Sequence, residues 1–198
     1  QLAVIDYNPT LTRIHPHFKR RFPQLGCRRL DETFYTDPIV IPDDSICKES
    51  HHYRYVQVFY GSKSKFVYLY PMKRKNEYES ALRAFCTEVG IPKKIISDNA
   101  PEQHSEDVRK FHSTWLIKRG FSEAHHQHQN YAEQAIRDIK ASTIRLLQMT
   151  GCPKAYWWYA MSHAVDMRNY TIKRSIPGNR TPYEIIFCNS PDISVFYY

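Results

Sequence analysis

Few glycines, unpaired cysteines and no long apolar run mark this 198-residue sequence, and each shortage excludes a class of protein. The 6 glycines lie far apart, so neither a Walker loop nor a GxGxxG dinucleotide fingerprint occurs. The 5 cysteines are odd in number and form no CxxC pair, which predicts reduced thiols in an intracellular protein without structural zinc. The longest apolar run, Ala155 to Met161, is far shorter than the roughly 20 residues that span a bilayer, so no membrane segment is expected.

Positive charge is present in excess. The chain has 28 Lys and Arg residues against 20 Asp and Glu residues, which gives a formal net charge of +8. This balance favours a polyanionic partner, and a basic face that meets only solvent is the alternative. The length is sufficient for a real hydrophobic core, so a globular domain is expected.

The pattern of the chain divides it into three parts. Residues 1–30, which are interrupted by prolines, are expected to be a linker from a missing upstream region; residues 31–150 form the main domain and residues 151–198 a helical extension of it. The patterns predict strands near 33–37, 53–60, 65–70, 95–98 and 121–124, and helices near 76–90, 105–118, 131–149, 154–173 and after Thr181. The fold class is therefore α/β, with a mixed five-stranded sheet flanked by helices.

Several local signals fix the predicted ends of these helices. Asn76 followed by Glu79, and Thr181 followed by Glu184, are capping-box patterns at helix starts. In the helix near 105–118, Leu116 is predicted to lie on the apolar face, and Gly120 is predicted to end the helix.

Three carboxylates occupy restrictive places in this layout. Asp37 lies in the first strand, Asp98 closes the strand that follows the first helix, and Glu133 lies at the start of the long helix. In a mixed sheet those two strands can be neighbours, and the helix start can bring the glutamate to the same cleft. Each residue also has a plain structural interpretation, namely solvated strand ends for the aspartates and a favourable helix dipole for the glutamate.

A cluster of these carboxylates has a definite chemistry. Like charges repel one another and raise at least one carboxyl pKa, and Mg²⁺ or Mn²⁺ reverses that penalty through hard oxygen ligands. Two such ions can activate the attacking oxygen of a phosphodiester reaction and stabilise the leaving oxygen. Asp37, Asp98 and Glu133 are thus predicted to be both catalytic residues and metal ligands, with Asp43 and Asp44 as rivals in a proline-flanked turn.

The motifs around these residues resemble those of a known family. In order, Tyr35-Thr36-Asp37, Ile95-Ile96-Ser97-Asp98-Asn99-Ala100 and Gln129-Asn130-Tyr131-Ala132-Glu133 resemble the DDE catalytic core of retroviral-type integrases. Further on, Trp157, Ala160, Ala164, Asn169, Thr181-Pro182-Tyr183-Glu184 and Pro191-Asp192-Ile193-Ser194 resemble the tail of the copia-like retrotransposon branch. The resemblance covers about residues 30–198.

This resemblance implies an RNase H-like fold, two Mg²⁺ or Mn²⁺ ions, 3′-end processing of element DNA and strand transfer into target DNA. It implies that Gln129, Asn130, Arg137 and Lys140 contact DNA; Glu133, Arg137 and Lys140 share one helical face, although an ordinary ion pair explains that spacing too. The implied partners are element-end DNA, target DNA, other polyprotein domains and at least one further copy of the chain. The implied location is the nucleus, with a cytoplasmic particle stage.

Two departures from the family pattern leave alternatives open. The segment from His125 to Gln129 lacks the Ser/Thr-Pro pair and the glycine common in that loop, and the zinc module that precedes the core is absent. The alternatives are an RNase H-type nuclease and a retrotransposon relic that binds nucleic acid without catalysis. His125, His126 and His128 are expected to form a solvated loop, since no fourth zinc ligand is evident.

Overall fold

Five strands form one mixed sheet within the part of the chain that the structure, a computed structural model, describes: residues 28–98, 105–121 and 131–194. The strands are β1 (Arg29–Val40), β2 (Tyr55–Gly61), β3 (Val67–Met72), β4 (Ile91–Ser97) and β5 (Lys118–Phe121). Their order is β3-β2-β1-β4-β5, and β1, β2 and β3 are antiparallel while β4 and β5 run parallel to β1. The predicted α/β class and the five-stranded mixed sheet are confirmed.

Helices cover both faces of this sheet. They are α1 (Tyr78–Glu88), α2 (Glu106–Thr114), α3 (Tyr131–Thr150), α4 (Trp157–Tyr170) and α5 (Pro182–Phe187). Side chains of α1, α2 and α5 form one buried cluster with the sheet, and side chains of α3 and α4 form the other. No helix among the described residues is both long enough and apolar enough to cross a membrane.

The strand β1 separates the two cores because its side chains alternate between the faces. Phe34 is fully buried and stacks edge-on against Phe85 of α1, with ring centroids 4.8 Å apart. Ile39, of the opposite parity, is 2% exposed and belongs to the cluster of α3 and α4. Odd-numbered residues of β1 therefore face α3 and α4, which decides the direction of Asp37.

The capping box of α5 is present as the sequence indicates. The Thr181 hydroxyl accepts a hydrogen bond from the Glu184 N–H at 3.1 Å, and the Glu184 carboxylate accepts one from the Thr181 N–H at 2.8 Å. The predicted capping box at Asn76 is wrong. A 3-10 turn at Lys75–Glu77 precedes α1 there, Glu77 is the N-cap, and the Glu77 carboxylate accepts from the Lys73 N–H at 3.1 Å instead.

The prediction for the end of α2 is also wrong. The helix ends at Thr114, and Leu116 adopts a left-handed φ of 54° with its side chain 65% exposed, while Ile117 is buried in the core. Gly120 does not end the helix but lies inside β5. A Cβ at Gly120 would lie 2.6 Å from Cε of Lys94 on β4, so the flexible end of that side chain would have to move aside.

Candidate active site

The register of two parallel strands brings Asp37 and Asp98 together. Thr36 of β1 is the partner of Ser97 of β4, and the residues that follow them, Asp37 and Asp98, therefore lie next to each other. Asp37 is also the antiparallel partner of Val58, a fully buried residue of the α3 and α4 cluster. Directly opposed residues share a face of the sheet, so Asp37 points toward α3. Asp98, two residues after Ile96, has the same parity and is exposed.

Among the described residues, the sheet narrows beside Asp37. The strand β4 ends at Ser97, whereas β1 continues to Val40 with β2 as its only described partner. The N–H of Ile41 donates to the carbonyl of Arg54, the residue before β2, so the backbone of Pro38 faces the opposite side, where β4 has already ended. Proline lacks an N–H and is accepted in the middle strand only where no neighbour requires that donor.

Glu133 reaches the site because α3 is held over β1 and β2 by its apolar face. Ala132, Ala135, Ile136 and Ile139 are buried in the core that α3 shares with these strands. Glu133 lies in the first turn of the helix and is exposed. Arg137 and Lys140 follow it at i+4 and i+7 and are exposed as well, so the three side chains form one stripe.

The site behaves as one electrostatic unit. Burial raises the pKa of Asp37 to about 6, and the negative charges of Asp98 and Glu133 add to this effect. The ammonium group of Lys140 acts in the opposite direction. Asp98, Glu133 and Lys140 therefore all lie close enough to Asp37 to change its protonation. The repulsion from Asp98 and Glu133 is the effect that the sequence predicts for this cluster.

The donor set suits a hard divalent cation, since carboxylate oxygens are the ligands that Mg²⁺ and Mn²⁺ prefer. The described residues nevertheless include no group of three or more His, Cys, Asp or Glu side chains already placed to hold a metal ion. Asp37 and Asp98 are adjacent through the sheet register, whereas Glu133 depends on the approach of a separate helix. The assignment of all three as ligands therefore stays a prediction.

The remaining candidates separate into two groups. Gln129 and Asn130 lie outside the described residues, as do the three histidines near 125–128. Asp43 and Asp44 lie in a 3-10 turn at Asp43–Ser45, and the Asp44 carboxylate forms an ion pair with Lys154 at 3.5 Å. The turn is the structure that the flanking prolines indicate.

A buried pair of polar side chains next to Asp37 is not predicted by the sequence analysis. The side-chain amide of Gln57 donates to the Thr36 hydroxyl at 2.6 Å, and both residues are almost fully buried. This bond joins β2 to β1 one residue before Asp37 and stabilises the backbone that presents the carboxylate. The signal was present, because Gln57 is the polar interruption of the apolar run Tyr55–Tyr60.

An open groove of about 500 Å³ begins beside Lys140. Its floor includes Ile41 at the end of β1 and Trp157 at the start of α4, and Lys154 lies at its border. The Trp157 indole N–H donates to the Ser45 carbonyl at 3.0 Å, and the ring is buried in the core that α3 and α4 share with the sheet.

Taken together, the order of the five strands and the helices on both faces define an RNase H-like α/β fold, the fold of integrase catalytic cores. No family model matches the chain. The Pol polyprotein of transposon RE2 from Arabidopsis thaliana is described as retrovirus-related. It is 27% identical over 150 residues, and the match covers 71% of this chain and 10% of the relative. The corresponding polyprotein of transposon RE1 from the same plant is 26% identical over the same shares.

A solved structure shows the same fold. The catalytic core domain of HTLV-2 integrase, determined with magnesium in a trimeric form, has a TM-score of 0.62 and 20% identity, with 80% of this chain and 99% of that chain covered. The resemblance to an integrase core of a retrotransposon polyprotein is thereby confirmed. The chain spans about a tenth of the length of the curated relatives it matches.

Proposed function

We propose that this chain is the catalytic core of a retrotransposon integrase, which processes the 3′ ends of element DNA and transfers them into target DNA with divalent metal ions. The observation that carries the proposal is the adjacency of Asp37 and Asp98 through the β1–β4 register, with Glu133 close enough to raise the pKa of Asp37. The likeness to a core solved with magnesium supports it.

In this proposal Asp37, Asp98 and Glu133 hold two Mg²⁺ or Mn²⁺ ions, which when bound activate the attacking oxygen and stabilise the leaving oxygen. Asp37 is half-buried and already repelled by its neighbours, so it gains most from a cation. Asp98 is exposed and faces the incoming DNA.

The DNA-binding residues of the proposal continue from the same helix. Arg137 and Lys140 are exposed cations on the stripe of Glu133, where they can pair with phosphate oxygens of the element end. Gln129 and Asn130 are proposed to contact the terminal nucleotides. The chain is further proposed to act as a homo-oligomer, at least a dimer, since two ends must be joined; the HTLV-2 core was solved in a trimeric form. Release from a polyprotein and action in the nucleus complete the proposal.

A joining assay on short element-end duplexes in Mn²⁺ tests the proposal. The Asp98→Asn variant is compared with wild type and with Asp43→Asn, which removes an exposed carboxylate of the nearby turn. Joined and 3′-processed products are expected from wild type and from Asp43→Asn, and none from Asp98→Asn. Loss of products in Asp43→Asn with full activity in Asp98→Asn would refute the assigned triad.

The same assay, with an RNA–DNA hybrid as a second substrate, separates the two rival functions. Cleavage of an RNA–DNA hybrid without any joining of DNA would indicate an RNase H-type nuclease. Salt-sensitive DNA binding without processing or joining in either metal would indicate a nucleic-acid-binding relic.

A further inference from the structure

The connection between α4 and α5 presents basic residues on a fixed backbone. It contains Lys173, Arg174 and Arg180, and Arg168 lies in the last turn of α4 just before it. The Lys173 N–H donates to the Arg180 carbonyl at 3.4 Å, and Ile176 between them is only 2% exposed. The buried isoleucine and this backbone bond hold the charged residues in place.

Positive charge is only partly neutralised at this connection. Arg168 forms an ion pair with Asp138 of α3 at 3.2 Å, while its Nε is buried without a hydrogen-bond partner. Burial lowers the pKa of Lys173, the charge of Arg168 lowers it further, and Asp138 opposes both. One carboxylate is thus shared by two cations, and the exposed Arg174 follows directly.

These cations lie on the same helix-covered face of the sheet as the candidate active site. Asp138 is the residue after Arg137, so Arg168 meets α3 on the flank that faces α4, while Glu133 and Lys140 lie on the flank that faces β1. Arg137 lies between the two flanks on the exposed side of a helix about 10–12 Å wide. A polyanion that crosses α3 can therefore contact both groups at once.

We propose that Arg168, Lys173 and Arg174 form a second DNA-binding surface, the α4–α5 basic surface, which binds the phosphate backbone of duplex DNA without reading its sequence. The inference rests on the proposed function for the identity of the polyanion. Phosphate oxygens supply the negative charge that Asp138 alone does not provide to Arg168, Lys173 and Arg174. A surface of this kind fixes the direction in which the duplex leaves the active site.

The test is a salt titration of duplex binding by the full chain, with fluorescence anisotropy in EDTA so that no reaction occurs. Lys173→Gln/Arg174→Gln is compared with Arg83→Gln/Lys110→Gln, which removes the same charge from α1 and α2 on the opposite face. Each phosphate contact contributes about 0.9 to the slope of log affinity against log salt, so the first pair is expected to lower the slope by about 1.8. With an unchanged affinity at 1 M salt, that slope corresponds to an approximately 60-fold loss at 0.1 M.

The control pair is expected to leave the slope within about 0.3 of wild type. Equal slopes in the two double variants would overturn the inference, and so would a wild-type chain that does not bind duplex. Lys173→Arg/Arg174→Lys keeps both charges and is expected to restore the slope; a failure to restore it would mean that the loss was structural, and would also overturn the inference. Wild-type binding without joining refutes only the proposed integrase activity, whereas joining with an unchanged slope in Lys173→Gln/Arg174→Gln refutes only the basic surface.

Discussion

The side chain of Asn169 forms hydrogen bonds with the backbone of the edge strand β3, and its replacement tests how much these bonds stabilise the fold. β3 is an edge strand, and both backbone groups of Val67 at its start point away from β2. The Asn169 amide fits this pair of groups: its oxygen accepts from the Val67 N–H at 2.9 Å, and its nitrogen donates to the Val67 carbonyl at 2.8 Å. Asn169 is 4% exposed, so water does not substitute for it.

The cost of losing this pair follows from its geometry. Asn169→Leu keeps the branched shape of the side chain but removes both hydrogen bonds and leaves two backbone groups of Val67 unpaired. Each buried backbone group left without a partner costs about 1–3 kcal/mol, so the loss of both partners is expected to lower the free energy of unfolding by about 2–6 kcal/mol. For a chain of this size the melting temperature falls by about 4–24 °C.

Asn169→Asp gives a sharper test because it keeps the acceptor and removes the donor. The introduced carboxylate faces the Val67 carbonyl in a buried site, so its folded pKa is raised above the unfolded value of about 3.9. A raised folded pKa means that the stabilising contribution is present at low pH, where the protonated carboxyl can donate, and is lost as the pH rises. Relative to wild type, Asn169→Asp is expected to be much less stable at pH 7 than at pH 4, whereas the deficit of Asn169→Leu does not change with pH.

Urea denaturation followed by circular dichroism measures both variants, with the exposed Asn189→Leu as the matched control. The control is expected to stay within about 0.5 kcal/mol of wild type. A deficit below about 1 kcal/mol in Asn169→Leu, or a deficit in Asn169→Asp that is independent of pH, would refute the role of the amide as a clamp on the sheet edge.

Three further predictions concern the turn between β2 and β3, a buried histidine and the metal site. A Cβ at Gly61 would clash with the Ser64 hydroxyl and lie 2.9 Å from the Glu32 carboxylate, so Gly61→Ala is expected to lower the free energy of unfolding by about 1–3 kcal/mol in urea denaturation. Burial lowers the pKa of His112 to about 4, so stability is lost as the pH falls from about 6.5 toward 4, by about 2–3 kcal/mol, and thermal melts of His112→Gln are expected to lack this part of the profile. Because the pKa of Asp37 is raised to about 6, Asp37→Asn is expected to stabilise the metal-free chain at pH 7 by about 1–2 kcal/mol, and calorimetry is expected to show that Mg²⁺ raises the melting temperature of wild type alone.

Patterns with a strong local cause were predictable from the sequence. The apolar period of α3 places Ala132, Ala135, Ile136 and Ile139 in the core, and the helix was predicted within one residue of Tyr131–Thr150. The capping box at Thr181 was predictable because its two hydrogen bonds join residues three apart. The resemblance of the flanking motifs implies the RNase H-like fold, whereas the order of the strands comes from the structure.

Features that depend on tertiary contacts were not predictable in this way. Asn76 has a capping sequence, but the chain enters α1 through a 3-10 turn and the cap is bypassed. Gly120 looks like a helix stop, yet it lies inside β5 and pairs with Ile96 on the neighbouring strand. The pair formed by Gln57 and Thr36 joins two strands that only the folded sheet brings together.

The candidate site depends both on local sequence patterns and on tertiary contacts, and this explains the raised pKa of Asp37. Asp37 and Asp98 are neighbours because two parallel strands share a register, and that register is fixed by apolar partners on both sides of the sheet rather than by the carboxylates. The fold therefore brings like charges together around a half-buried carboxyl, and burial, with the repulsion added to it, raises the pKa of Asp37. A group arranged in this way destabilises the empty chain and is relieved by positive charge, whether from Lys140 or from a divalent cation. Contacts that stabilise the domain, such as the two hydrogen bonds of Asn169, lie away from these carboxylates.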